Sequence, residues 1–311
     1  MKVLTGERRA VARAISMVED GSRDLPRLSQ DLFPHTGRAY TVGLTGSPGV
    51  GKSSLVEQLV RTARAHDRTV AVLAIDPTSP FTGGALLGDR LRMQAHATDP
   101  GVFIRSMATR GHLGGMALAA PEALRILDAS GRDLVLVETV GVGQAEVEVA
   151  TAADSTLVVV APGWGDAVQA SKAGILEIAD VFVVNKSDRE GVVEAVRDLR
   201  NMLRMGPKLD WQPPIVQTST LNGQGLDDLW EAIERHRAHQ ERSGMLDERR
   251  RRRILLEVER MVAEQLRERA AGLLEHGVEE RIVEDLAGRR IDPYAAARTL
   301  LQTLVQTDDT R

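Results

Sequence analysis

The spacing of hydrophobic residues along this chain changes character twice, and the changes divide its 311 residues into three stretches. In the first, Val11, Ile15 and Val18 recur at intervals of four and three, so Arg8 to Asp20 is predicted to be an amphipathic helix. Gly21 to Pro34 follows as a turn-rich connection. From Tyr40 the pattern becomes short, continuous apolar runs separated by helix-like segments. The clearest strands are Thr69 to Ile75, Asp133 to Val137, Ser155 to Val160 and Val181 to Val184, with Pro214 to Gln217 as a last one. Val192 to Met205 and Leu226 to His236 read as helices. Strands apolar at every position need cover on both faces, which predicts an α/β fold with a mostly parallel central sheet flanked by helices.

Beyond about Gln240 the strand signal stops. Arg, Glu and Leu dominate, and Ile254, Val258, Met261, Val262 and Leu266 fall at helical spacing. The expected organisation is an N-terminal helical segment (1–37), an α/β domain (38–240) and a C-terminal helical arm (241–311) whose apolar stripe suits self-association into a homodimer. The five consecutive arginines Arg249 to Arg253 have acidic neighbours and read as a solvated helix surface rather than a nucleic-acid contact.

Composition narrows the chemistry. Forty basic residues against 44 acidic ones leave a formal charge of -4, which draws the chain toward neither nucleic acid nor anionic lipid. With no cysteine, disulfides, thiolate metal sites and cysteine nucleophiles are all excluded. No apolar run is long enough to span a bilayer, and no signal-peptide core follows Met1 to Val11, so a cytoplasmic location is expected.

The most informative string is Gly46-Ser47-Pro48-Gly49-Val50-Gly51-Lys52-Ser53, followed by Ser54 at a helix start. It has the spacing of a phosphate-binding loop: glycines let the backbone aim its amides at phosphate oxygens, and the helix start adds a favourable dipole. Lys52 is then the residue that neutralises the β and γ phosphates, and Ser53 the hydroxyl that meets Mg²⁺. A second string, Asn185-Lys186-Ser187-Asp188, ends an apolar strand. Asp188 can accept two hydrogen bonds from the guanine ring nitrogen and exocyclic amine, which adenine does not offer, so GTP is favoured over ATP. Thr218-Ser219-Thr220, before Leu221 to Gly225, lies where GTPases supply a backbone amide to the guanine oxygen, with Ser219, Thr220 and Leu221 as the candidate binding residues.

Strand ends facing the phosphates should carry the metal ligands. Asp76 and Glu138 occupy such places, and Asp89, in the glycine-rich stretch Thr82 to Asp89, is a third candidate. Glu138-Thr139-Val140-Gly141 has the form of a γ-phosphate switch in which Gly141 offers an amide. The next residue, Val142, cannot orient an attacking water, so hydrolysis by the isolated chain is expected to be slow, with Gln144 and Lys172 as candidates for contacts a partner completes. His112 is a further candidate base, although loop histidines more often serve as local hydrogen-bond partners.

With those residues laid out, the chain resembles the methylmalonyl-CoA mutase-associated G-protein chaperones, a family long labelled as lysine/arginine/ornithine transport kinases. The resemblance rests on the loop at 46–53, on Asp76 to Gly84 and Gly88 to Met93, on Arg110 to Gly115, on Glu138 to Gln144, on Gly165-Asp166 with Gln169 and Lys172 to Gly174, on Glu177 to Asp180, and on Asn185 to Asp188. It implies a Mg²⁺-dependent GTPase, dimerising partly through its C-terminal helices, whose partner is an adenosylcobalamin-dependent acyl-CoA mutase. An adenosyltransferase is a further candidate partner. The cobalamin would be held by the mutase, and the GTPase would gate its delivery and exclude damaged cofactor. Asp76, Asp89 and Glu138 would form the magnesium set, and Lys172 would lie in a third switch that signals to the mutase. Ser187, Ser219-Thr220, Trp164 and Val168 depart from the family's usual residues. Rival readings are an ATP-using kinase of a transport system, against which Asp188 stands; a metal-insertion GTPase, which typically relies on cysteine or histidine sites; and an interaction module with a degenerate phosphate loop, against which Lys52 and Ser53 stand.

Overall fold

A strand that is apolar at every position must be buried on both faces, and the strands of this chain meet that requirement by lining up in one parallel sheet. The computed structural model describes residues 2–77, 96, 98–109, 115–139, 152–163, 178–207, 209–273 and 279–308. Seven strands pair in the order β3-β2-β4-β1-β5-β6-β7. They are β1 (Tyr40–Thr45), β2 (Val70–Pro77), β3 (Val102–Thr109), β4 (Leu134–Thr139), β5 (Ser155–Val160), β6 (Val181–Val184) and β7 (Ile215–Gln217). Each of these pairings is parallel.

Alternation along the strands assigns the two faces. Val42, Leu44, Leu136, Leu157 and Val159 pack in one core with Leu55 and Leu59 of α3 (Lys52–Ala65) and with Trp230 and Ile233 of α6 (Leu226–Ser243). Ala71, Leu73, Val135 and Val137 share the opposite core with Val11 and Ile15 of α1 (Arg8–Glu19), Leu32 of α2 (Leu25–Leu32) and Leu127 of α4 (Gly115–Ala129). A third cluster joins Val158, Val160, Phe182 and Val184 to Ala195 and Leu199 of α5 (Val192–Met205).

Four elements correct the sequence reading. The stretch expected to be only a turn-rich connection contains α2, because Pro26 falls in the first turn, where a missing amide costs nothing. The strand β3 and the helix α4, with Pro121 inside it, had no clear periodic signal. Helix α6 continues past His236 to Ser243.

The chain separates into two units, Met1–Arg253 and Ile254–Arg311. The division falls within α7 (Met245–Leu273), because the first turns of that helix are bonded to the sheet. The second unit holds the rest of α7, α8 (Glu279–Ala287) and α9 (Pro293–Asp308), and buries Ile282, Ala296 and Leu304. Ile254, Leu255, Val258, Met261 and Val262 of α7 are exposed. Among the described residues no helix is long and apolar enough to cross a membrane.

Candidate functional site

The carboxyl ends of the parallel strands gather the sequence motifs at one edge of the sheet, the position at which such sheets bind ligands. The loop from Gly46 to Gly51 joins β1 to α3. Gly46 adopts φ 138°, and a Cβ there would stand 2.1 Å from the carbonyl oxygen of Val159, so only glycine lets the loop pass β5. Gly51 adopts φ 98°, and a Cβ there would stand 2.5 Å from Asn185 Nδ2, so the loop and the Asn185 motif touch through a glycine. Beginning α3 directly after this glycine turns its first amides toward the loop, the arrangement that binds phosphate.

Lys52 is buried, and its Nζ donates to the carbonyl oxygens of Gly46 (2.5 Å) and Ser47 (3.2 Å), which holds the ammonium within the span of the loop. One residue on, the Ser53 hydroxyl donates to Glu138 Oε1 at 2.6 Å. Glu138 ends the run of β4 that pairs with Leu44, and it is almost fully buried at 2% exposure. Two oxygen donors so close at a strand end suit a hard divalent cation such as Mg²⁺. Among the described residues no group of three or more His, Asp or Glu side chains converges on a metal-sized site. Asp76 lies at the end of β2 in register with Ala108. Asp89, Gly141, Gln144 and Lys172 lie outside the described residues, as do His112, Trp164 and Val168.

The base-reading side is a hydrogen-bonded lattice. Asn185 is fully buried; its Nδ2 donates to the carbonyl of Val50 (2.9 Å), and its Oδ1 accepts from the Thr218 hydroxyl (3.2 Å). Lys186, at φ 58°, donates from Nζ to the carbonyl of Gly49 (2.6 Å). Asp188 is exposed, and the Ser219 hydroxyl donates to its Oδ1 at 2.5 Å; this bond is the chief reason its carboxyl sits below the usual range. Asp188 is therefore kept ionised and aimed, with its other oxygen available to a base.

The Ser219-Thr220-Leu221 loop differs in detail from the sequence expectation. The Ser219 amide donates to the carbonyl of Gln224, and the Gln224 amide returns the bond to Ser219, closing a tight turn. The Ser219 amide is thus engaged within the turn, while its hydroxyl bonds Asp188. Leu221 is 83% exposed. Thr218, expected only as the first residue of this loop, makes two further bonds. Its hydroxyl bonds Asn185 and its carbonyl accepts from the Ser187 amide, so it joins the two halves of the base site.

Comparisons with known proteins agree with this geometry. A protein of Pyrococcus abyssi that carries a provisional GTPase name is 47% identical over 304 residues, covering 96% of this chain and 94% of its own. The GTPase ArgK of Escherichia coli is 38% identical over 73% of this chain and 72% of its own. A methylmalonic aciduria type A homolog, mitochondrial, of Caenorhabditis briggsae is 32% identical over 97% of this chain and 81% of its own. The crystal structure of an LAO/AO transport system kinase superposes with a TM-score of 0.72 at 27% identity, covering 97% of this chain and 95% of that one. Residues 11–274 match the family described as methylmalonyl Co-A mutase-associated GTPase MeaB, and the chain belongs to that family of GTPases.

Proposed function

We propose that this GTPase couples GTP binding and hydrolysis to the delivery of adenosylcobalamin to, and the protection of, an acyl-CoA mutase such as methylmalonyl-CoA mutase. The observation that carries this reading is the match to a mutase-associated family across residues 11–274, joined to a base site built around an aimed, ionised Asp188. In this reading the amides of 46–54 and the Lys52 ammonium hold the phosphates, and Asn185, Lys186 and Asp188 hold the guanine with Thr220 or Leu221. Ser53 and Glu138, joined by Asp76 and Asp89, hold Mg²⁺, which when bound offsets charge on the phosphate oxygens. Gly141 would offer its amide to the terminal phosphate, and Gln144 and Lys172 would supply the contacts that a partner completes. Cobalamin stays on the mutase, which an adenosyltransferase would load in the same cytoplasmic compartment. The exposed apolar stripe of α7 is the surface through which two copies of the chain associate.

The test is steady-state GTP hydrolysis with and without methylmalonyl-CoA mutase from the same source. Stimulation is expected, and Lys172→Ala is expected to keep GTP affinity while losing the stimulation. An unchanged rate with the parent protein would remove this mutase as client and leave the GTPase standing. The kinase reading requires ATP to compete with GTP at equal concentration, which the pinned Asp188 opposes.

A further inference from the structure

Where β2, β3 and β4 begin, on the edge of the sheet away from the phosphate loop, arginines from three elements close on one turn. The turn runs from Asp99 to Val102. It is held by the Gly101 amide, which donates to Asp99 Oδ1 (2.8 Å), and by the Val102 amide, which donates to the Asp99 carbonyl (3.1 Å). Arg8 of α1 donates from Nη2 to the carbonyls of Asp99 (3.2 Å) and Val102 (2.5 Å). Arg64 of α3 grips the Asp99 carboxylate with Nε (2.9 Å) and Nη2 (3.2 Å). A Cβ on Gly101 would stand 2.4 Å from the central carbon of that guanidinium, so glycine is what lets Arg64 lie against the turn. Arg132, two residues ahead of β4, donates from Nη1 to the carbonyl of Pro100 (3.2 Å).

The charges at this corner are not matched. Asp99 is answered by Arg64, and the Asp133 carboxylate by the amide and hydroxyl of Thr69. Arg132 is only 7% exposed, forms no ion pair among the described residues, and has its Nε buried without a hydrogen-bond partner. A carbonyl oxygen satisfies one N–H of a guanidinium but not its charge, and a buried charge with no counter-ion is costly. Burial first, and then the neighbouring Arg8 and Arg64 guanidiniums, hold Arg132 below the usual arginine range, against the weaker pull of Asp133 and Asp99. His96, whose carbonyl accepts the Asp99 amide, adds a second orphan at the same turn, because its Nε2 is buried with no partner. Buried polar atoms left unpaired in this way call for a partner from outside the chain.

We propose that Arg8, Arg64 and Arg132 form a second anion site, separate from the phosphate loop, that takes a phosphate-class oxyanion. A tetrahedral oxyanion presents paired oxygens to each guanidinium, the geometry that the planar fork of arginine favours. One such anion supplies the counter-charge that Arg132 lacks and ties α1, α3 and the approaches to β3 and β4 at a single point. The site depends on neither GTP hydrolysis nor the identity of any client.

The test is the thermal midpoint of the full chain against inorganic phosphate, with the phosphate loop filled by a non-hydrolysable GTP analogue and Mg²⁺ and the ionic strength held constant with chloride. At ten times its dissociation constant, phosphate is expected to raise the midpoint by about 3–5 °C. Arg132→Met keeps most of the side-chain length without the charge. It is expected to melt no lower than the parent in chloride, since an unpaired buried charge is removed, and to lose the rise with phosphate. Arg8→Gln keeps a donor for the two carbonyls and is expected to weaken phosphate about tenfold, which provides a reading if Arg132→Met does not fold. No rise in the parent overturns the proposal. So does a rise that the variants keep in full, whether or not they melt lower, because the arginines then only support the turn. Glycerol 3-phosphate, titrated in the same way, separates two sources of the same chemistry, each consistent with an anion site. A rise with phosphate alone assigns the site to the free ion, and a rise with both assigns it to a phosphoryl group carried on a larger molecule.

Discussion

The two ends of the sheet are built from the same parallel strands but on opposite electrostatic plans. At the carboxyl ends, polar groups face outward: Asp188 is exposed, and α3 begins directly after Gly51 with no side-chain cap on its first amides. At the amino ends the carboxylates are spent on the neighbouring strands. Asp133, Asp154 and Asp180 each bond back to a threonine of the neighbouring strand, Thr69, Thr41 and Thr156. The last two are capped further by arginines of α7. Strand polarity explains the split, because only the carboxyl edge combines helix N-termini with strand ends. The carboxyl edge keeps polar groups exposed, and the amino edge buries and pairs its carboxylates.

The sharpest way to break that division is to remove a carboxylate from the satisfied end. Asp154→Ala strands Arg250 and Arg253 next to a fully buried site, and is expected to lower unfolding free energy by about 3–5 kcal/mol in urea denaturation. Lys52→Ala, at the other end, is expected to cut GTP turnover by roughly 10²–10³-fold while moving the urea midpoint little. Equal destabilisation by the two substitutions would mean that the phosphate loop is itself part of the stabilising framework.

Base recognition provides a finer cut. Removing the carboxylate by Asp188→Ala deletes two charge-assisted hydrogen bonds to guanine, and discrimination of GTP over ATP is expected to fall by roughly a hundredfold in competitive nucleotide binding. Ser219→Ala leaves the carboxylate but frees it to rotate, so a loss of only about fivefold is expected. If Ser219→Ala matched Asp188→Ala, the serine would be contacting the base and not merely orienting its reader.

How much of this was legible beforehand follows the same division. The phosphate loop and Asn185 to Asp188 could be read because their chemistry is written in consecutive residues. The grip of α7 could not. Arg249, Arg250 and Arg253 lie in a run that reads as a solvated surface, and Arg251 and Arg252 are indeed exposed. The partners Asp154 and Asp180 stand 69 to 99 positions earlier, with no local pattern tying them to the run. Only the offset of one and four positions, which puts the three arginines on one side of a helix, hinted at a shared target. Helix α2 was missed because Pro26 and the polar approach Gly21-Ser22-Arg23-Asp24 look like a turn until the packing of Leu32 is seen.

The smallest expected effect concerns the neutral member of the buried cluster. His236 is fully buried, with Nδ1 2.6 Å from the Ser155 hydroxyl, which also meets the Tyr40 hydroxyl at 2.6 Å. Its Nε2 stands 3.3 Å from Asp180 Oδ1. Ser155, His236 and Asp180 thus form a chain like that of a hydrolase, but Ser155 is closed to solvent and no substrate can reach it. Burial pushes the imidazole down to about 4, helped by Arg249 and His239 and opposed by Asp180 and Asp154, while Trp211 packs on the ring. Desolvation outweighs the adjacent carboxylate because Arg249 already claims it. The unfolded chain therefore binds this proton first: stability is unaffected above about pH 6.5 and falls as pH drops from there toward 4. The expected loss is about 1 kcal/mol between pH 7 and about pH 5.5, measured as a shift in thermal midpoint. Asn in place of His236 keeps an acceptor toward Ser155 and removes the titration, so His236→Asn should flatten the profile over that interval; an unchanged slope would assign the acid sensitivity to another group. Asp154, whose carboxyl is held low by Arg250 and Arg253 against its own burial, contributes its loss only at lower pH, so the two buried groups separate along one titration.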